Sequence, residues 1–282
     1  MLSSRFLFSL IAVVLTASSA FAQTTLRVYH IGNSVTDTIR YPKLKEMAAA
    51  KNKTYTYGRH MIPGAPLEWI YKHPKDGFQE DPYGFYPKAL PEFEWDVLTL
   101  QPFDRHLDGP DGDVQMAKNY IDLLLKKSPN ARIYLYSRWP RKDNDGTLDF
   151  GKKWSRTYTG DWDNTEETAD YFRRLLTELR KAYPAQAKRI LLIPVGDVLL
   201  ELDKQMKAGK VPGYKSITEL YADGIHLNDM GSYVVGCTFY ATLFQDSPKG
   251  LPGKPYNVAN PKVEAVLQET VWKVVQAEPL AK

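Results

Sequence analysis

Hydrophobic residues along the chain fall into two patterns: short apolar runs, and longer segments with helical spacing. The short runs are rich in Val, Ile, Leu and Tyr and end at Gly, Pro or Asp, which is typical of β-strands. The run at residues 189–195 has no polar alternation, which favours a parallel strand covered on both faces. Five strands are predicted, at residues 26–32, 54–60, 95–101, 131–139 and 189–195.

Segments with helical spacing lie between and after these strands. In one of them Tyr171, Leu175, Leu176 and Leu179 fall on one side of a helix. Helices are predicted at residues 37–50, 114–127, 165–183, 198–208, 229–244 and 261–276, with a short helix ending near residue 70. Strands alternating with helices indicate a doubly wound sheet, whose sites open at the carboxyl ends of the strands. The predicted fold class is α/β, a three-layer α/β/α sandwich around a parallel five-stranded sheet.

Two segments, residues 71–93 and 141–163, lack a clear period and are predicted as long surface loops that shape a site. Aromatic residues in and beside them have two interpretations, packing onto the sheet or stacking against sugar rings, and both stay open. They are Trp69, Tyr83, Phe85, Tyr86, Trp139, Trp154, Tyr158 and Trp162. Basic residues near the second loop have two interpretations, contacts to an acidic group or, as preferred, solvated surface charge: Arg138, Arg141, Lys142 and Lys152.

The N-terminus is typical of a secretory signal peptide. Arg5 precedes an apolar run at residues 6–15, and Ala-Phe-Ala22 forms a cleavage site. Residues 1–22 are therefore excluded from the fold, and residues 23–282 are expected to form one domain. A membrane anchor is the alternative, but the run is short for a spanning helix. We expect a secreted or periplasmic protein with no membrane segment after cleavage.

The composition narrows the possible partners and cofactors. The formal net charge is +4 and the basic residues form no block, so no nucleic-acid partner is expected. Cys237 is the only cysteine and lies in an apolar helical run, which predicts a buried, inert thiol. The sequence has no H-E-x-x-H, paired-cysteine or glycine-rich dinucleotide motif, and we predict no metal and no cofactor.

Two short stretches carry residues suited to nucleophilic chemistry. Ser34 follows the first predicted strand and precedes a helix, where backbone N–H groups favour negative charge. A serine hydroxyl needs a base to take its proton, and His226 is the candidate. Asp223, three residues earlier, can hold one imidazole nitrogen. The order Ser, Asp, His permits a triad, although spacing along the chain does not fix distances in space.

These stretches resemble the first and last blocks of the SGNH (GDSL-like) hydrolase superfamily. Gly-Asn-Ser34 followed by Asp37 matches the first block, and Asp223-Gly-Ile-His226-Leu-Asn matches the last. The resemblance implies a flavodoxin-like sheet, with Ser34 as the nucleophile and with Asp223 and His226 as the other triad members. The second glycine of the G-x-S-x-G elbow is missing, so an α/β-hydrolase is disfavoured.

The resemblance also implies an oxyanion hole built from the middle blocks. Gly64, after the second strand, stands where the family has a glycine whose N–H meets the oxyanion. The third block, usually Gly-x-Asn-Asp, is here Leu-Gln101-Pro-Phe-Asp, and Gln101 carries the same amide on a longer side chain. The implied donors are the Ser34 N–H, the Gly64 N–H and the Gln101 amide.

The predicted function is a secreted serine esterase that cleaves an acyl ester, preferably an O-acetyl group on a carbohydrate. Its expected partner is a small-molecule or polysaccharide ester. One alternative is lipase-like or thioesterase activity on small acyl esters. The other is a catalytically inactive carbohydrate-binding module on the same fold.

Overall fold

The sheet of this protein determines where the candidate site lies. A computed structural model describes residues 25–282, so the predicted signal peptide lies outside the described residues. The strands are β1 Thr25–Gly32, β2 Thr54–Met61, β3 Phe78–Gln79, β4 Val97–Leu100, β5 Arg132–Tyr136 and β6 Ile190–Ile193. Their order is β3-β2-β1-β4-β5-β6, with β3 antiparallel at the edge and the other strands parallel. When the five parallel strands alone are numbered 1 to 5 along the chain, their order in the sheet is 2-1-3-4-5, which is the flavodoxin-like order.

Helices cover both faces of the sheet. They are α1 Tyr41–Ala49, α2 Leu67–Lys72, α3 Tyr86–Glu92, α4 Asp113–Leu125, α5 Phe150–Trp154, α6 Ala169–Ala182, α7 Val195–Lys207, α8 Asp229–Phe244 and α9 Pro261–Ala277. The main helices form two packed groups. The first contains α1, α7, α8 and α9, and the second contains α2, α3, α4 and α6. Every residue of β4 and β6 is buried between these layers, because apolar strands covered on both faces lose all their solvent contact. The predicted α/β fold class is confirmed, but the sheet has six strands rather than the predicted five, because β3 adds an antiparallel edge strand.

The structure departs from the prediction in three places. The loop predicted at residues 71–93 contains β3 and α3, and that at residues 141–163 contains α5. These elements are too short to show a period in sequence. The helix predicted from residue 37 is divided into a 3₁₀ turn and α1, because Arg40 takes a left-handed conformation with φ of 55° and a proline follows in the first turn of α1.

Most aromatic side chains of the two insertions pack into the core. Trp139, Trp154 and Tyr158 are buried, whereas Trp69 and Trp162 are exposed. The thiol of Cys237 is fully buried, as predicted, and burial raises its pKa to about 12. Within residues 25–282, no helix combines the length and the apolar character needed to cross a membrane.

Candidate active site

Ser34 lies in a tight turn at the carboxyl end of β1. The Asn33 carbonyl accepts from the Thr36 N–H at 2.9 Å, and the Asn33 side chain accepts from the Val35 N–H at 3.0 Å. Asn33 also donates to the Ala65 carbonyl at 3.1 Å, which joins this turn to the one after β2. A Cβ on Gly32 would lie 1.9 Å from the Thr36 hydroxyl oxygen, so only glycine permits the chain to fold back this closely.

His226 and Asp223 lie in a second compact loop, directly before α8. One carboxylate oxygen of Asp223 accepts from the N–H groups of Ile225 and His226, at 2.8 and 2.7 Å. The other oxygen lies 2.7 Å from Nδ1 of His226. A bridge between Tyr221 and Leu227 closes the loop, so a three-residue spacing suffices to hold the carboxylate against the imidazole.

The structure brings the two loops together. Nε2 of His226 lies 2.8 Å from Oγ of Ser34, across 192 residues of chain. Because an ionised carboxylate can only accept, Asp223 fixes the proton on Nδ1, and Nε2 is free to accept from the hydroxyl of Ser34. The three predicted residues thus form one continuous chain of hydrogen bonds.

The surroundings of Asp223 favour its charged form. Partial burial opposes ionisation, but hydrogen bonds from the Ile225 N–H and from the side chain and N–H of His226 outweigh it. They lower the pKa of Asp223 to about 2. The side chains of both residues keep solvent contact, with 41% of the His226 side chain and 55% of the Asp223 side chain exposed, so a substrate can reach the imidazole.

Two backbone donors, in the turns after β1 and β2, are free. Within the described chain, the N–H groups of Ser34 and Gly64 donate to no other protein group. Gly64 lies between β2 and α2 with φ of 69°, and its missing Cβ would meet nothing within 4 Å. Glycine is therefore favoured here because the positive φ angle suits a residue without a Cβ, and not because a side chain would clash with a neighbour. Free N–H groups beside a nucleophile are what an oxyanion hole requires.

The Gln101 amide makes hydrogen bonds within the protein, and its role as an oxyanion donor stays a prediction. Its Oε1 accepts from the Asn33 N–H at 3.2 Å and from the Thr36 hydroxyl at 3.0 Å, and its Nε2 donates to the Pro102 carbonyl at 2.7 Å. Because the Asn33 N–H is a hydrogen-bond donor, the atom of the Gln101 amide that faces the Ser34 turn must be the acceptor, Oε1. The buried side chain of Gln101 therefore stabilises the Ser34 turn through the two hydrogen bonds that its oxygen accepts.

Gln101→Met retains side-chain length but removes both acceptor contacts. We expect kcat for p-nitrophenyl acetate to fall about tenfold with KM unchanged, and the free energy of unfolding to fall by about 1–3 kcal/mol, because the Asn33 N–H loses its partner. Gln115→Met, at a half-buried position of α4 outside the Ser34 turn, is the control. A loss of 10²- to 10³-fold in kcat with unchanged stability would instead support direct donation to the oxyanion.

An ionic cluster connects the segments after β4 and β5. Arg138 is fully buried and donates to Asp104 at 2.5 Å, and Arg141 donates to the same carboxylate at 2.6 Å. Glu167 contacts both arginines. Burial opposes ionisation of Asp104, but the two guanidinium groups outweigh it and lower the pKa of its carboxyl. The interpretation of Arg138 as solvated surface charge is wrong, because a cationic side chain can be buried when it is paired.

The same segment holds the His226 loop in place. The Trp139 indole donates to the Ile225 carbonyl at 2.8 Å, and the Lys142 N–H donates to the Gly224 carbonyl at 2.8 Å. The Tyr221 hydroxyl donates to the Pro140 carbonyl, also at 2.8 Å. The loop is therefore held by residues 139–142, and no sequence pattern indicates this contribution.

An open cavity of about 400 Å³ lies beside Gly64. It is lined by Pro63, Gly64, Ala65, Pro66, Trp69, Phe103, Asp104 and Arg105. Among the described residues, no group of three or more His, Cys, Asp or Glu side chains is arranged to hold a metal ion. The chemistry available at the candidate site is that of a hydroxyl, an imidazole, a carboxylate and backbone N–H groups, and one of these N–H groups, that of Gly64, belongs to a residue that lines the cavity.

Comparison with solved structures shows that this protein shares its fold with another protein. No protein-family model matches the sequence, and no curated protein does. The structure is similar to that of a DUF4886 family protein from Bacteroides uniformis, with a TM-score of 0.59 and 17% identity over 89% of this chain and 95% of that chain. At this identity the similarity concerns the fold and not the activity.

Two further solved structures are similar at lower scores. One is a member of the lipolytic protein G-D-S-L family from Veillonella parvula, with a TM-score of 0.37 and 14% identity over 76% of this chain and 95% of that chain. The other is a lipopolysaccharide acetyltransferase periplasmic domain from Salmonella Paratyphi A, with a TM-score of 0.40 and 14% identity over 77% of this chain and 83% of that chain. These scores support no comparison of individual residues.

Proposed function

We propose that this protein is a serine esterase that works through an acyl-enzyme. The observation that supports this most directly is the unbroken hydrogen-bond chain from Ser34 through His226 to Asp223. A hydroxyl is a weak nucleophile near neutral pH, and an imidazole held in the correct tautomer by a carboxylate is the arrangement that activates it.

In the proposed reaction Ser34 Oγ attacks the ester carbonyl while Nε2 of His226 takes the hydroxyl proton. The negative charge on the tetrahedral intermediate is stabilised by the N–H groups of Ser34 and Gly64, and Asp223 stabilises the imidazolium. The imidazolium then protonates the leaving alcohol, and the C–O bond to that alcohol breaks. Water, activated by the same imidazole, attacks the acyl-enzyme, releases the acid and restores the Ser34 hydroxyl.

The proposed substrate is an O-acetyl ester of a carbohydrate. The cavity beside Gly64 is bordered by prolines, charged side chains and two aromatic rings rather than by a continuous apolar wall, which suits a short acyl group and a polar alcohol. A fatty acyl chain needs an apolar groove to replace its contact with water. The intact triad geometry favours turnover over an inactive binding module.

A fluorophosphonate probe tests the nucleophile, because it phosphonylates only an activated serine. We expect stoichiometric labelling at Ser34 and release of acetate from acetylated oligosaccharides, with both lost in His226→Ala. Labelling at another serine, or equal labelling in His226→Ala, would contradict the proposal.

The intact mass of the exported protein also shows whether the proposed signal, residues 1–22, is removed so that the chain begins at Gln23.

A further inference from the structure

Two tryptophans of the described chain, Trp69 in α2 and Trp162 between α5 and α6, are exposed. The exposed fraction is 47% for Trp69 and 69% for Trp162, whereas Trp95, Trp139 and Trp154 are buried and Trp272 is partly buried. Each exposed indole packs against an imidazole: Trp69 stacks on His73 with ring centroids 3.9 Å apart, and Trp162 lies against His106 at 4.1 Å with the rings tilted by 34°. One face of each indole is therefore supported by protein, and a large apolar ring is left in contact with solvent, as in a binding surface.

The two indoles line neighbouring cavities. Trp69 borders the cavity beside Gly64, and Trp162 borders a second open cavity of about 240 Å³. Arg105 lines both, and it also donates to Glu68, the residue before Trp69, at 3.2 Å. His106, which follows Arg105, supports Trp162. The cavities are thus consecutive along one surface that begins at the free Gly64 N–H.

Most charged groups along this surface are already neutralised by partners. Glu68 is paired with Arg105 and, at 2.6 Å, with Lys72, which also contacts Asp111 at 2.9 Å. Asp104 is paired with buried Arg138, whereas exposed Asp108, which lines the second cavity, has no ion-pair partner among the described residues. Paired charges leave hydrogen-bonding groups but little net field, which suits a neutral polyhydroxylated ligand better than an ionic one.

We propose that the two cavities are successive subsites for a chain of neutral sugars. This proposal rests on the proposed function, because the ester to be cleaved is placed beside Ser34 and Gly64. The sugar bearing the ester lies against Trp69, and a sugar farther along the same chain stacks on Trp162. The apolar C–H face of a sugar ring covers the indole while its hydroxyls meet the polar groups between the platforms. The preferred substrate is therefore an acetylated polysaccharide rather than a monosaccharide ester.

Trp162→Ala tests the distal subsite by comparing two substrates. We expect the ratio of kcat/KM on acetylated xylan to kcat/KM on p-nitrophenyl acetate to fall about tenfold, through a rise in KM, because only the polymer reaches Trp162. Phe78→Ala, which removes an aromatic ring that is 51% exposed and lies outside both cavities, is the matched control and leaves the ratio unchanged. An unchanged ratio in Trp162→Ala overturns the proposal, while retained esterase activity leaves the proposed function in place.

A binding measurement separates the two proposals when turnover is absent. The Ser34→Ala protein is run in native gels containing acetylated xylan, acetylated glucomannan or acetylated pectin. We expect retardation by a neutral polymer that disappears when Trp162→Ala is added, whether or not the wild type hydrolyses esters. Retardation by pectin alone, or by none of the three polymers, overturns the inference of a neutral sugar chain.

Discussion

Replacing Ser34 with alanine is expected to lower kcat for p-nitrophenyl acetate by at least about 10⁴-fold. The substitution removes the oxygen that attacks the ester but leaves the imidazole, the carboxylate and both free N–H groups in place. In the described chain the Ser34 hydroxyl contacts only His226, so no bond that holds the turn is lost. We therefore expect the midpoint of thermal unfolding to stay within a few degrees of the wild type.

The measurement is steady-state hydrolysis together with the thermal midpoint of the same preparation. Ser155→Ala is the control, because this hydroxyl lies on the surface after α5 and donates only to the Lys152 carbonyl. It is expected to retain the full rate. A Ser34→Ala protein that keeps a tenth of the activity would mean that the acyl transfer does not pass through this serine.

The layers of the fold were predictable because their signals are local. A run such as that of β6 is long enough to show burial on both faces, and the longer helices, such as α4, α6 and α9, extend over three or more turns and show their spacing. Elements as short as β3 and α5 escape such patterns. Their places depend on pairing with β2 and packing on α7, which are contacts between distant parts of the chain.

The candidate triad was predictable for a similar reason. Asp223 and His226 are three residues apart, so a single loop sets their geometry, and Ser34 stands at the carboxyl end of a strand where doubly wound sheets place their sites. The hydrogen-bond partners of Gln101 could not be predicted in this way. Its amide was matched to an asparagine by residue type, but the partners that it takes lie on the turn of Ser34, 65 and 68 residues away.

The ionic cluster could not be inferred from the sequence. Arg138 and Asp104 are 34 residues apart, and nothing in the composition around either residue signals burial. The pair forms because the ends of β4 and β5 are adjacent in the sheet, and strand order is a property of the whole fold. The contact matters for the site, since the segment that follows Arg138 also holds the His226 loop.

Asp223→Asn is expected to lower kcat by about 10⁴-fold with little change in structure. The asparagine oxygen can still accept from the N–H groups of Ile225 and His226, so the loop keeps both bonds. Its amide nitrogen, however, is a donor facing Nδ1 of His226. The imidazole must then place its proton on Nε2, where it can no longer accept the proton of Ser34.

The pH dependence of stability gives Asp223→Asn a second readout. Hydrogen bonds lower the pKa of Asp223 to about 2, below the ordinary value near 3.9, so the contribution of its charge is present above about pH 4 and is lost as the pH falls towards 2. The difference in thermal midpoint between wild type and variant should therefore shrink below about pH 4. Asp161→Asn, an exposed carboxylate outside the site, controls for surface charge. A variant that retains the wild-type rate near neutral pH would show that Asp223 neither orients nor stabilises the imidazole.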